Sequence, residues 1–193
     1  MKNDLDVSLN GDSTSMTNVQ FQDIIINFGF GTKAEKKKIL EQNPDKKVFM
    51  DLTCYDPHEF YQSYPQLKGT FSALFCDENR KVETHLKEPN PAFLSKMKDL
   101  GYSVIETTII ACGFVFPRTI AQIINEAYFA LEEEVASKND IDRAMKFGVN
   151  YPKGPFEWAS QREKYVVTLL DELHAKTKDD RYRVASTLRN SLS

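Results

Sequence analysis

One change of pattern, near Gly113, limits what this chain can fold into. Before it, short apolar runs alternate with charged stretches at helical spacing. After it, the pattern is helical throughout. Strands alternating with helices of that length predict βαβ units and a mostly parallel sheet, and a purely helical run predicts a second, all-α domain. The expected division is therefore an α/β part over residues 1–112 and a helical part over 113–193.

In the first part, strands are expected at 23–28, 48–52, 69–75, 81–86 and 103–110, with helices at 33–41 and 91–100. Residues 9–18 are polar and read as a loop, after a short strand at 5–9. In the second part, Ile120, Ile123, Ile124, Ala127, Tyr128, Leu131 and Val135 form one apolar stripe of a long helix. Ser137 with Asp140 caps a second helix, and Gly148 ends it. Pro155 opens a third, which carries Phe156, Trp158, Tyr165 and the leucines up to Leu173. A last short helix follows Arg181.

Composition excludes several function classes. The net charge of −3 gives no electrostatic case for nucleic acid or an anionic membrane, and no apolar run approaches the about 20 residues of a spanning helix. The N-terminus has no apolar stretch of the kind a secretory signal carries, so a cytoplasmic protein is expected. Cys54, Cys76 and Cys112 read as free thiols, and with His58, His85 and His174 they make no metal-ligand spacing. No metal is expected.

Gly29-Phe30-Gly31-Thr32-Lys33-Ala34 follows an apolar strand and precedes a helix, and Asp51 lies twenty residues after Gly31. A dinucleotide site has this form: glycines let the backbone approach the pyrophosphate, and the acid holds a ribose hydroxyl. The bland alternative is a glycine-rich turn that binds nothing.

A family resemblance rests on a series of motifs in order. Cys112-Gly113-Phe114-Val115-Phe116-Pro117-Arg118 resembles the P-G-F-V-x-N-R entry to the helical domain of the 3-hydroxyacyl-CoA dehydrogenases. Asn125-Glu126-Ala127 resembles that family's N-E-A. Val135-Ala136-Ser137 with Asp140-Ile141-Asp142 and Ala144-Met145 resembles its V-A-S-x-x-D-I-D-x-A-M. Pro152-Lys153-Gly154-Pro155-Phe156-Glu157 resembles its P-x-G-P-x-E, and Asp180-Arg181-Tyr182-Arg183 its closing D-x-R-Y. Upstream the likeness is looser: residues 21–28, VFMDLTCYDP, Gly69 to Ala73 and Val82-Glu83 take the places of family strand motifs.

The resemblance implies an incomplete Rossmann-like sheet followed by the family's helical C-terminal domain. The family's opening nucleotide-binding unit has no counterpart in this chain. Residues 24–28 then take the place of the family's fourth strand, an apolar edge for residues 5–9 or a second chain to cover.

Family chemistry removes a hydride from a 3-hydroxyacyl-CoA to NAD while a histidine, oriented by a carboxylate, takes the hydroxyl proton. Glu83 matches the carboxylate, but the histidine position is Phe71. The substrate-holding serine falls at Cys54 and the asparagine near the domain junction at Pro117. His85 is the one substitute base nearby, two residues from Glu83 and on the same strand face.

The expectation is a family member impaired in catalysis, with no cofactor, retained as a homodimer or acyl-CoA-binding protein. Its dimer contact would lie in the helical domain, whose apolar residues look too many for these helices to bury alone. Two alternatives are an NAD-dependent oxidoreductase that uses Gly29, Gly31, Asp51 and His85, and a subunit that completes its sheet with a partner.

Overall fold

The computed structural model describes residues 16–192 except 74, 77 and 78. A six-stranded sheet runs in chain order: β1 (Thr17–Phe21), β2 (Ile24–Phe28), β3 (Lys47–Asp51), β4 (Leu67–Ser72), β5 (Lys81–Leu86) and β6 (Ser103–Glu106). The sheet is mixed: β2–β3, β3–β4 and β5–β6 are parallel, as expected of most of it, while β1 meets β2 and β4 meets β5 antiparallel.

Alternation sorts each strand's residues to two faces. Ile24, Ile26 and Phe28 pack with Phe93 and Met97 of α3 (Pro91–Asp99). Ile25 points the other way, to Ile39 and Leu40 of α1 (Lys33–Glu41) and Phe60 of α2 (Pro57–Ser63). The sequence reading missed α2, which Asp56 caps by accepting from the His58 backbone N–H.

Residues 21–28 are not one strand. Gln22 turns the chain at φ 51, and β1 folds back along β2. Thr17–Phe21 thus covers the β2 edge, a role expected of residues 5–9, which lie outside the described residues. The polar reading of 9–18 overlooked the start of β1, whose Val19 is buried in the core.

The helical part comprises α4 (Phe116–Glu132), α5 (Lys138–Gly148), α6 (Pro155–Ala159), α7 (Glu163–Thr177) and α8 (Ser186–Asn190). The helix expected from Pro155 is broken into α6 and α7 at Gln161, whose φ is 63. Helix α4 lies centrally, against α6, α7 and α8. Its Ile120, Ala121, Ile124, Ala127 and Tyr128 are buried, as are Val166, Leu169, Leu170 and Leu173 of α7. Those apolar residues are covered within the chain, whereas Val135, at the end of the expected stripe, is 68% exposed.

Two pairs of motif residues fix the helical part. Buried Asn125 donates to the Arg183 carbonyl (2.8 Å) and accepts from the Ala185 N–H (2.9 Å). Asp142 accepts from the Phe156 N–H (2.9 Å), and a Cβ on Gly154 would come 2.2 Å from the Asp142 carboxylate. Only glycine leaves room for that approach.

The two parts are tied together. Lys33 of α1 pairs with Glu172 of α7 at 2.8 Å and Glu59 of α2 at 3.0 Å, and Lys176 of α7 pairs with Asp56. Among the described residues no helix is long and apolar enough to cross a membrane.

Candidate functional site

At the glycine turn, Thr32 caps α1: its hydroxyl accepts from the Glu35 N–H (3.2 Å), and Glu35 accepts from the Thr32 N–H (2.7 Å). The turn itself is covered. Tyr55 donates to the Gly31 carbonyl at 2.9 Å, and Phe30 stacks on Tyr165 of α7 with centroids 3.4 Å apart. A Cβ on Gly31 would lie 2.2 Å from the Met16 sulfur, so the face that glycine leaves open is filled by a side chain of this chain.

Asp51 is buried, and both of its oxygens are engaged. One accepts from the Thr53 N–H (3.0 Å) and hydroxyl (2.6 Å), the other from the Ala73 N–H (3.3 Å). Burial raises its pKa, against the pull of Lys36. Gly29, Gly31 and Asp51 in this arrangement do not fit a dinucleotide: one lacks an open approach, and another lacks a free acceptor.

Beneath this turn lies a group the sequence reading missed. Lys36 is 1% exposed and donates to the Asn27 side-chain oxygen at 2.6 Å and the Gly29 carbonyl at 2.8 Å. Burial pushes its pKa down to about 8, opposed by the charge of Asp51. Its helical spacing with Ile39 and Leu40, the buried face of α1, was the available signal.

The family-matched residues are brought together only in part. Phe71 is opposite Thr84 and Ser72 is opposite Glu83, so Phe71 and Glu83 face opposite sides of the sheet. The Phe71 ring is fully buried, edge-on to Phe28 at 5.1 Å and tilted against Phe93 at 6.3 Å. Across from it, the buried Thr84 hydroxyl has no hydrogen-bond partner among the described residues.

Glu83 accepts from the backbone N–H groups of Val115 (3.2 Å) and Phe116 (2.8 Å). These are free donors of the first turn of α4, whose own N-cap, Val115, offers no side-chain acceptor. Pro117 is buried in the same turn. The Cys54 thiol donates to the Tyr165 carbonyl at 3.3 Å, and burial holds its pKa well above the usual thiol value.

His85 shares the Glu83 face but has a different partner, with its Nδ1 3.0 Å from the Tyr61 hydroxyl. Burial lowers the His85 pKa, and the charges of His58 and Lys87 act in the same direction. No hydrogen bond joins His85 to Glu83 among the described contacts. No group of three or more His, Cys, Asp or Glu could hold a metal among the described residues.

A pocket of about 490 Å³ opens where the parts meet. One wall is α4, through Phe116, Ile120 and Ile123; another is Tyr151, Lys153 and Trp158. Cys76 and Asn79, between β4 and β5, complete it. Trp158 belongs to the helix expected from Pro155. It packs on Tyr151 with centroids 5.7 Å apart, and it also lines this space.

The class the fold defines is a Rossmann-like sheet followed by an all-helical domain. Residues 113–192 match the family model described as 3-hydroxyacyl-CoA dehydrogenase, C-terminal domain, so the helical part of the chain is similar to that domain. It is 47% identical over 78 residues to the 3-hydroxyadipyl-CoA dehydrogenase of Escherichia coli, covering 40% of this chain and 16% of that protein. It is 35% identical over 114 residues to a probable 3-hydroxyacyl-CoA dehydrogenase of Caenorhabditis elegans, covering 54% and 35%. The matches thus span about a third or less of those relatives' lengths. The fold is that of the (S)-3-hydroxybutyryl-CoA dehydrogenase from Ralstonia eutropha, with TM-score 0.71, 23% identity and coverage of 89% of this chain and 65% of that one.

Proposed function

We propose that this chain holds acyl-CoA ligands without performing the family's hydride transfer. The observation that carries the reading is the commitment of Glu83 to the N-terminus of α4 while Phe71 is turned into the core. A general base must come within hydrogen-bond reach of the proton it takes, and its partner must be free to orient it. Phenylalanine has no acceptor, and His85 is held by Tyr61 instead of Glu83. The filled face of Gly31 and the engaged oxygens of Asp51 support a reading without NAD. The apolar pocket supports the acyl part, since its volume falls within the roughly 300–1,000 Å³ of small-molecule sites.

The same proposal includes a second copy of the chain. Helix α5 buries no residue of its own, and Phe147 and Val149 at its end are 83% and 57% exposed. These exposed apolar residues at one helix end support a contact there with a second copy.

Calorimetric titration with NADH and with acetoacetyl-CoA, run separately, tests the reading. Saturable heat with acetoacetyl-CoA and none with NADH is expected. Tight NADH binding that Gly31→Val abolishes would make the glycine turn a true nucleotide site and overturn it.

A further inference from the structure

The walls of the pocket are unequal in polarity. Ile120 and Trp158 are buried in the helical core, at 3% and 8% exposure, and form its apolar depth. Lys153 lines the same pocket but is exposed, so it stands at the solvent side.

Lys153 enters none of the ion pairs among the described residues. The nearest carboxylate in sequence, Glu157, is already engaged twice: it pairs with Lys146 and accepts from the Gly154 N–H at 2.9 Å. Both engagements hold the Glu157 carboxyl below its usual pKa, and the charge of Lys153 contributes least to that lowering. Among the described residues, then, Lys153 is a cation without a paired carboxylate at the border of an apolar cavity. A ligand that satisfies both features has an aliphatic chain and an anionic end.

We infer that this pocket selects a medium-length aliphatic chain ending in a carboxylate, with the carboxylate at Lys153 and the chain against Ile120 and Trp158. The inference rests on the acyl-binding reading and narrows its ligand class. Two sources share this chemistry: a free fatty acid, and a dicarboxylic acyl group joined through its other end to a thioester. For the second, the thioester lies toward the polar wall that Cys76, Asn79 and Thr119 form.

Trp158 is the only tryptophan in the sequence, so its fluorescence reports the pocket directly. The probes are octanoate, octanol, and the octanoyl and suberyl thioesters of N-acetylcysteamine, each titrated against wild type and Lys153→Met. Lys153 is a surface side chain, and circular dichroism checks that the variant folds. A carboxylate at an exposed lysine should improve binding by up to about fivefold, the upper end for a surface ion pair. Octanoate should therefore bind more tightly than octanol in wild type, and Lys153→Met should remove the difference. A suberyl thioester tighter than the octanoyl thioester assigns the dicarboxylic source; equal thioesters with tighter octanoate assign the free acid. Equal binding of every charged and neutral pair overturns the carboxylate inference and leaves the acyl pocket standing. No change in Trp158 emission with any probe overturns both.

Discussion

The backbone N–H of Phe116 donates to the side chain of Glu83 across 2.8 Å, joining β5 of the sheet to the first turn of α4. The residue that the family resemblance assigns to chemistry is thus a joint between the two parts of the chain. An acceptor at a helix N-terminus satisfies orphan donors and meets the positive end of the helix dipole.

Glu83→Ala should therefore destabilise the protein by about 1 kcal/mol, the usual loss of a capping acceptor. Glu83→Gln keeps one acceptor oxygen and should lose less. Urea unfolding monitored by circular dichroism checks the order. An Ala variant with the wild-type midpoint would remove the structural role.

Lys36 gives the stability a pH dependence of known sign. Its folded-state pKa, lowered to about 8, lies below the 10.5 of a free lysine. Between these values the unfolded chain binds more protons than the native one, so stability rises with pH across that window. The burial cost is fully present below the folded pKa and is relieved above it. The rise should amount to a few kcal/mol, since each tenfold difference in proton affinity between the two states is worth about 1.4 kcal/mol. Lys36→Met should abolish it. Unfolding free energies at about pH 7 and about pH 10 measure the difference, and a flat wild-type profile would contradict it.

Thr84, opposite Phe71, carries a buried hydroxyl without a partner among the described residues. An unsatisfied buried polar group costs about 1–3 kcal/mol. Thr84→Val should accordingly raise the melting temperature. A lower one would mean that the hydroxyl has a partner or that the site repacks poorly.

Phe147, at the end of α5, should be central to the contact with a second copy. Light scattering after size exclusion should give a dimer for the wild type and a monomer for Phe147→Asp. A wild-type monomer at high micromolar concentration would remove the proposed dimer.

Most of the fold was legible because its signals are local. Apolar runs fixed five strands, and Ser137, Gly148 and Pro155 marked helix ends. The missed β1 was hidden because Thr17–Phe21 alternates weakly and only pairing with β2 makes it a strand. The break at Gln161 was hidden too, since apolar spacing continues across it. At the site, the identity of Phe71 was plain, but its face was not. Facing is set by register, and a shift of one residue turns every side chain over. The engagement of Glu83 with Val115 and Phe116, and of Asp51 with Ala73, depends on long-range neighbours that spacing does not encode.

The most direct test of the central claim is the appearance of NADH absorbance when the chain is given NAD and 3-hydroxybutyryl-CoA, beside a working relative as positive control. The account predicts no turnover, and none after Phe71→His, whose new side chain would start from the face opposite Glu83. Turnover by the unaltered chain that is lost in Glu83→Gln or His85→Ala would contradict it, and would show these two residues working as an acid–base pair.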